Sequence, residues 1–172
     1  NNIIAIPLDG SFDECQSFVK TAFLDKDLEN LNLVSANSIN IARLIPQTLY
    51  YCFTYAQIKD KYPDKDFCKS NLIFSVPCGN CGNLTGGLIA RQLGIPIKFI
   101  SSQNENNTFN KYLLNGIYKP KSSVKTLSNA MDVGNPSNVK RIDYLYNNDV
   151  KNLERIIFPS CSDDLRTLKT IK

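Results

Sequence analysis

One short segment combines glycines, asparagines and cysteines directly after an apolar run. The segment Pro77-Cys78-Gly79-Asn80-Cys81-Gly82-Asn83 follows Leu72-Ile73-Phe74-Ser75-Val76. Glycine can adopt backbone conformations closed to other residues, so several main-chain N–H groups can converge on one anion, and the N-terminus of a following helix adds partial positive charge. The side-chain amides of Asn80 and Asn83 can donate to phosphate oxygens or cap the helix. The segment predicts a phosphate-binding loop, although a sharp turn without a ligand explains two glycines equally well.

Two familiar nucleotide-binding motifs do not fit this loop. The G-x-x-x-x-G-K-[ST] motif needs a lysine that is absent, and G-x-G-x-x-G needs a glycine where Cys81 stands. The pattern therefore favours neither a nucleoside triphosphate nor NAD as the ligand.

Cys78 and Cys81 introduce a second possible chemistry. A Cys-x-x-Cys pair at a helix N-terminus is typical of thiol oxidoreductases, in which the helix lowers the pKa of the first thiol. The remaining cysteines, at positions 15, 52, 68 and 161, fit neither a zinc ribbon nor a small disulfide scaffold. We therefore expect a reducing cytoplasm and no bound metal, and a thiol oxidoreductase remains open as an alternative.

Composition excludes other classes of function. The chain has no histidine, which removes His-dependent triads, zincin helices and imidazole general bases. Its net charge of +4 comes from well-separated lysines, whereas nucleic-acid binders usually cluster basic residues on one face. No segment approaches the roughly 18 consecutive apolar residues of a membrane helix. We expect neither a nucleic-acid nor a membrane partner.

The loop is placed by a β-loop-α-β unit. The apolar run 72–76 predicts a strand, 84–93 a helix that Gly94 ends, and 95–100 the next strand. Such units build parallel sheets with right-handed crossovers, and their ligands lie beyond the carboxyl ends of the strands.

Further elements are predicted on both sides of this unit. A strand is expected over 3–8, and then a helix that opens with a capping box at Ser11 and carries an apolar core stripe of Phe12, Cys15, Val19, Ala22 and Phe23. The other predicted elements are a long helix over 38–61, kinked or broken near Pro46, a short helix over 109–114, a helix with Asn135-Pro136 as N-cap and N1, a strand over 156–158, and a helix capped within 162–164.

Several stretches resemble the threonine synthase family. Val76 to Thr85 resembles its phosphate loop, in which Ser and Phe usually stand at the two cysteine positions. Gly10–Gln16, Ser35–Arg43 and Thr126–Asn138 agree with the family in order and separation, and together these stretches cover most of the chain. The match over Ser101–Thr108 is looser, because the family usually has aspartate at 107.

The resemblance implies a fold and a reaction. We expect an α/β fold, a parallel sheet with helices on both faces, resembling part of the large domain of fold-type-II pyridoxal-phosphate enzymes. Residues 1–33 would end the smaller domain and 34–172 would form part of the cofactor-binding large domain. The family converts O-phospho-L-homoserine and water to L-threonine and phosphate with pyridoxal 5'-phosphate. The resemblance leaves the oligomeric state open.

The resemblance also implies site residues. Gly79, Asn80, Cys81, Gly82 and Asn83 would hold the cofactor phosphate, mostly through main-chain amides. Five more residues would line the active site, although capping and turn roles explain them equally well: Asn37, Ser38, Asn40, Ser128 and Asn129.

No residue of this chain is expected to be catalytic. The family's Schiff-base lysine is expected upstream of residue 1 and its contact to the pyridine nitrogen beyond residue 172, so we expect an internal segment that is inactive alone. Two alternatives of function remain open beside the thiol oxidoreductase. One is a threonine synthase-like phospholyase, which eliminates phosphate without making threonine, and the other is a non-catalytic anion-binding domain.

Overall fold

The structure, a computed structural model, describes residues 2–70 and 72–171, except the side chains of residues 68 and 70. The chain divides into two compact units, Asn1–Ser35 and Ala36–Lys172.

The first unit is built around helix α1, Phe12–Leu24. The predicted capping box is confirmed, since the Ser11 main-chain N–H donates to Glu14 Oε2 at 2.7 Å and the Glu14 N–H donates to Ser11 Oγ at 3.3 Å. The hydrogen bond from the Ser11 backbone lowers the pKa of Glu14. A 3-10 helix, Lys26–Leu31, follows.

Two predictions for the first unit are wrong. Residues 3–8 form no strand, and Ile3, Ile4 and Ile6 are exposed. A strand needs a partner for its N–H and C=O groups, and the described residues of this unit provide none. The apolar stripe of α1 is not a core either, because Phe12 and Phe23 are 44% and 39% exposed. The unit's other regular element, a short 3-10 helix, is too small to cover that stripe.

The second unit contains a three-stranded parallel sheet in the order β1-β2-β3. The strands are β1, Leu72–Pro77, β2, Ile97–Gln103, and β3, Ile157–Cys161. Phe74 is paired with Phe99, and Phe99 with Ile157. The predicted β-loop-α-β unit is confirmed, with helix α4 between β1 and β2.

The helices of this unit vary widely in length. They are α2, Leu44–Lys61; α3, Phe67–Ser70; α4, Gly82–Gln92; α5, Thr108–Asn115; α6, Val139–Leu145; α7, Val150–Glu154; and α8, Asp164–Ile171. Short 3-10 helices cover Ile41–Arg43 and Asn129–Met131. The helix predicted over 109–114 is confirmed as α5, and the capped C-terminal helix as α8, where the Arg166 N–H donates to Asp163 Oδ1 at 2.7 Å.

Two predicted helix starts are wrong. The long helix α2 begins at Leu44, so Pro46 lies in its first turn. The N–H groups of a first turn have no intrahelical acceptor, and proline therefore neither kinks nor breaks the helix there. Helix α6 has Asn138 as its N-cap in place of Asn135. Asn138 and Asn135 have the same capping side chain, so local capping rules do not separate them.

The core lies on one face of the sheet. Tyr51 of α2 packs edge-on against Phe74 and Phe99, with ring centroids 4.9 and 5.7 Å away. Helix α4 approaches so closely at Gly87 that an added Cβ would lie 2.5 Å from the Phe99 ring. Further buried members of this core are Leu84, Leu88, Phe109, Leu113, Val139, Ile142, Leu153 and Ile157.

The opposite face of the sheet is open in the part of the chain that the structure describes. It carries Ile73, Ser75 and Phe158, and Ile73 and Phe158 are 49% and 39% exposed. The α/β class and the parallel sheet agree with the prediction, and α2 and α4 pack on the face that carries Phe74 and Phe99.

No helix within residues 2–70 and 72–171 has the length and apolarity needed to cross a membrane. The same residues contain no group of three or more His, Cys, Asp or Glu side chains placed to hold a metal ion.

Candidate phosphate-binding site

The glycine loop lies at the carboxyl end of β1. The Cys78 N–H donates to Ser102 O at 2.8 Å, and Gln103 Nε2 donates to Cys78 O at 2.9 Å. The Gln103 side chain is itself held, since its Oε1 accepts the Asn110 N–H at 2.8 Å. The start of the loop is therefore fixed to the end of the neighbouring strand β2.

The main-chain N–H groups of the loop are available to a ligand. Cys81 is the N-cap of α4 and has no side-chain capping bond, and the first intrahelical bond runs from Thr85 N to Cys81 O at 3.0 Å. Among the described residues, the N–H groups of residues 79 to 84 have no protein acceptor. Unsatisfied N–H groups at a helix N-terminus form an anion-binding position, because they point outward and carry partial positive charge.

The two glycines are needed for space. Neither has a positive φ, and the left-handed residue of the loop is Cys81, with φ 57°. A Cβ on Gly79 would lie 3.1 Å from Met131 Cα, and one on Gly82 would lie 3.2 Å from Leu44 Cδ2. The expectation that the glycines supply unusual backbone angles is therefore wrong, and close packing explains them instead.

Asn80 connects the loop to two distant segments. Its Nδ2 donates to Ser38 Oγ, and its Oδ1 accepts from the main-chain N–H of Ser137 at 2.6 Å and from Ser137 Oγ at 3.0 Å. Its main-chain oxygen accepts from Asn138 Nδ2 at 2.9 Å. The Asn80 amide is therefore used within the protein, so an anion in the loop would bind mainly to main-chain groups.

Arg141 holds the segment that contains Ser38. Its Nη1 donates to Ser38 O at 2.9 Å, and its Nη2 donates to Ile39 O at 2.5 Å. Nη1 also donates to Asn138 Oδ1 at 2.5 Å. The side chain is partly buried, and desolvation lowers the pKa of its guanidinium. These bonds fix Ser38 and Asn138 on either side of Asn80.

Asn83 is also occupied by protein partners. Its Nδ2 donates to Gln47 Oε1 at 3.1 Å, and its Oδ1 accepts from the Tyr51 hydroxyl. Tyr51 is buried, and this burial raises its pKa. The contacts attach the first turn of α4 to α2.

Cys78 and Cys81 are joined by a disulfide bond. Both residues are buried, at 1% and 2% exposure, whereas the free Cys161 is exposed. A pair this enclosed offers no exposed thiol to a macromolecular partner, which argues against the alternative of a general thiol oxidoreductase.

The other predicted site residues take varied positions. Asn37 Oδ1 accepts the Ile39 N–H and Asn40 Oδ1 accepts the Ala42 N–H, both at 3.0 Å, so these side chains have the turn and capping roles considered above. Asn129 begins a 3-10 helix and is exposed. That helix reaches the loop through Met131, beside Gly79.

Ser128 belongs to a polar cluster centred on Asp132. Asn104 Nδ2 donates to Ser128 Oγ at 3.0 Å and to Asp132 Oδ1 at 2.9 Å, and Asn106 Nδ2 donates to the same carboxylate oxygen at 3.0 Å. Thr126 Oγ1 donates to Asp132 Oδ1 at 2.7 Å, and the Thr126 N–H donates to Asp132 Oδ2 at 3.0 Å. The cluster fixes the segment that packs against Gly79.

Three residues that lie beside the loop were not predicted as site residues. Ser137 and Asn138 lie within a stretch that resembles the threonine synthase family, so that stretch contained a usable signal. Arg141 had no comparable signal in the sequence, because its partners Ser38 and Ile39 lie more than 100 positions away.

Fold and loop together define a class of protein. The chain contains a parallel α/β unit with an anion-binding loop between the carboxyl end of a strand and the N-terminus of a helix, an arrangement common to enzymes that bind phosphate-bearing cofactors.

Comparison with known proteins narrows the class. The chain is 47% identical over 173 residues to threonine synthase of Buchnera aphidicola subsp. Baizongia pistaciae, covering 99% of this chain and 39% of that protein. It is 41% identical over 175 residues to threonine synthase of Escherichia coli K12, covering 99% of this chain and 40% of that protein. No family model matches the chain.

Solved structures agree with the sequence relatives. The crystal structure of Escherichia coli threonine synthase superposes with a TM-score of 0.84 at 41% identity, covering 96% of this chain and 37% of that one. The X-ray structure of PLP-bound threonine synthase from Brucella melitensis superposes with a TM-score of 0.73 at 29% identity. The match covers 95% of this chain and 39% of that one. The chain therefore corresponds in sequence and fold to a segment of the threonine synthases, and it spans about 39% of the length of its curated relatives. The predicted fold class is confirmed.

Proposed function

We propose that the full-length protein is a threonine synthase that converts O-phospho-L-homoserine and water to L-threonine and phosphate with pyridoxal 5'-phosphate. One observation carries the proposal for this chain. The N–H groups of residues 79 to 84 lack protein acceptors at the N-terminus of α4, in a chain 47% identical to a threonine synthase. On this proposal the protein works in the cytoplasm on a small-molecule substrate.

The loop fits the phosphate of the cofactor. Residues 78 to 83 contain no carboxylate that would repel a dianion, and the helix dipole of α4 adds favourable charge. Convergent N–H groups from consecutive residues are the usual cradle for such a group. We therefore propose that Gly79, Asn80, Cys81, Gly82 and Asn83 hold the phosphate through their main-chain amides.

The described residues would bind and orient the cofactor. When bound, pyridoxal phosphate supplies an electron sink for the carbanions formed on the substrate. The loop amides would fix one end of the cofactor, and Asn80 would hold the loop against Ser38 and Ser137 so that this end does not move. We assign no proton transfer to the described residues, and the lysine of the family would come from outside this chain.

The domain and lining assignments are further proposals. Residues 1–33 would belong to the smaller domain and 34–172 to the large, cofactor-binding domain. Ser38 is the best supported of the lining residues, because it hydrogen-bonds to Asn80. Asn37, Asn40, Ser128 and Asn129 would support the same site through the turns that contain them.

The test uses full-length protein with pyridoxal phosphate and O-phospho-L-homoserine. Formation of threonine together with phosphate supports the proposal, while phosphate release without threonine identifies a phospholyase. Binding without turnover identifies an anion-binding domain, and thiol–disulfide exchange that is lost in Cys78→Ser identifies an oxidoreductase.

A matched pair of variants tests the loop itself. Gly79→Ala places a Cβ 3.1 Å from the backbone of Met131, so we expect a roughly tenfold or greater loss of pyridoxal-phosphate affinity. Gly10→Ala is the control, since its Cβ would meet the flexible Glu14 side chain. Equal affinities in the two variants would contradict the role of the loop.

A further inference from the structure

The Cys78–Cys81 pair lies inside the candidate phosphate loop and has no part in the proposed reaction. We propose that this pair is a reversible thiol–disulfide modification site that sets the anion affinity of the loop, higher when oxidised and lower when reduced. The inference rests on the proposed function, because the anion is the cofactor phosphate.

The disulfide connects two fixed ends of the loop. Cys78 is held to β2 through Ser102 and Gln103. Cys81 is held to α4, since its oxygen accepts from both the N–H and the Oγ1 of Thr85, at 3.0 and 2.8 Å. The bond therefore spans the residues 79 and 80 between strand and helix, with the two Cα atoms 4.6 Å apart.

Reduction acts on the backbone conformation of the loop. Cys81 has φ 57°, a left-handed conformation that disfavours a side chain, and the disulfide limits its escape. Once reduced, Cys81 can leave this conformation and the loop N–H groups no longer converge.

The chemical step is an exchange with a small dithiol. A dithiol thiolate attacks one cysteine sulfur, the Cys78–Cys81 bond breaks, and the released thiolate takes up a proton. The second dithiol sulfur then closes a cyclic disulfide and releases the other cysteine, so two electrons and two protons pass to the protein. Because the cysteines are 1% and 2% exposed, a small reductant reaches them more readily than a protein would.

The experiment compares one preparation of full-length protein before and after dithiothreitol. Alkylation followed by mass spectrometry assigns the state of Cys78 and Cys81, and calorimetry measures the affinity for pyridoxal phosphate and for inorganic phosphate. We expect both affinities to fall about three- to tenfold on reduction and to recover on reoxidation.

Cysteine variants test whether the response to reduction comes from Cys78 and Cys81 or from another cysteine. Cys78→Ser should show the lower affinity whether or not dithiothreitol is present, while Cys15→Ser should keep the response of the unaltered protein. Cys15 is a free cysteine outside the loop.

The outcomes separate the two proposals. Equal affinities in the oxidised and reduced protein, or a pair that never forms the disulfide, would overturn the redox inference and leave the proposed function standing. Absence of binding by either probe in both states would overturn both.

Discussion

Two different substitutions of Asn80 are expected to change the stability of the loop and its affinity for an anion independently. The Asn80 side chain makes three hydrogen bonds, one to Ser38 and two from Ser137. Asn80→Ala removes all of them and leaves the partly buried Ser137 N–H without its partner. At about 1 kcal/mol each, the loss is roughly 3 kcal/mol of unfolding free energy. For a protein of this size the melting temperature should fall by roughly 6 to 12 °C.

Asn80→Asp keeps the acceptor but adds a charge. The aspartate can still accept both bonds from Ser137, and the Ser38 hydroxyl can rotate to donate. The melting temperature should therefore change little. A negative charge beside a bound phosphate should nevertheless weaken binding by about 1 to 2 kcal/mol, which is roughly five- to thirtyfold.

Thermal unfolding and phosphate calorimetry on the two variants provide the assay. Asn115→Ala and Asn115→Asp are the matched controls, because Asn115 is an exposed residue of α5. If Asn80→Ala melted within about 2 °C of Asn115→Ala, the connecting role of Asn80 would be refuted. If Asn80→Asp bound phosphate as tightly as Asn115→Asp, the anion would not lie in this loop.

Three other predictions concern packing, hydrogen bonding and pH. Gly87→Ala should lower the free energy of urea unfolding by about 1 to 3 kcal/mol, because its Cβ would lie 2.5 Å from the Phe99 ring. Phe99→Leu in the same protein should recover part of this loss. If the destabilisation of the double variant equalled the sum of the two single variants, the clash would be contradicted. Arg141→Lys should lower stability by about 2 kcal/mol, since one ammonium cannot reproduce its bonds to two carbonyls and Asn138, and an unchanged urea midpoint would count against that role. Burial raises the pKa of the Tyr51 hydroxyl. The stability that Tyr51 contributes is therefore complete below pH about 10 and is lost as the pH rises further. Tyr51→Phe should flatten this alkaline decline in stability, and an identical decline in both proteins would exclude Tyr51 as its source.

Local features of the sequence predicted the unit that carries the loop. The apolar run before Cys78, the glycines and the next apolar run identify β1, α4 and β2 because each signal lies within a few residues of the element it specifies. Gly94 ends the α4 segment with φ 99°, as its position predicts. The resemblance of this stretch to the threonine synthases agrees with the curated relatives and solved structures.

The contacts that complete the loop could not be predicted in the same way. Asn80 meets Ser38 and Ser137 across 42 and 57 positions, and hydrogen-bonding capacity alone does not specify which distant partner is chosen. The structure shows that the Asn80 side chain holds the loop to these two segments, a role that its position in the sequence does not indicate. The strand predicted over 3–8 was wrong for a related reason, since apolar residues indicate burial but do not supply a pairing partner.

The long separations around Asn80 also bear on when the loop forms during folding. Ser38 is held by Arg141 across 103 positions, and Asn80 by Ser137 across 57, so the chain must close large loops before these bonds can form. Such closure is entropically costly and slow compared with forming α4 itself. We therefore expect the loop to acquire its final geometry after the main folding barrier. Substitutions at Asn80 would then speed unfolding while leaving the folding rate almost unchanged.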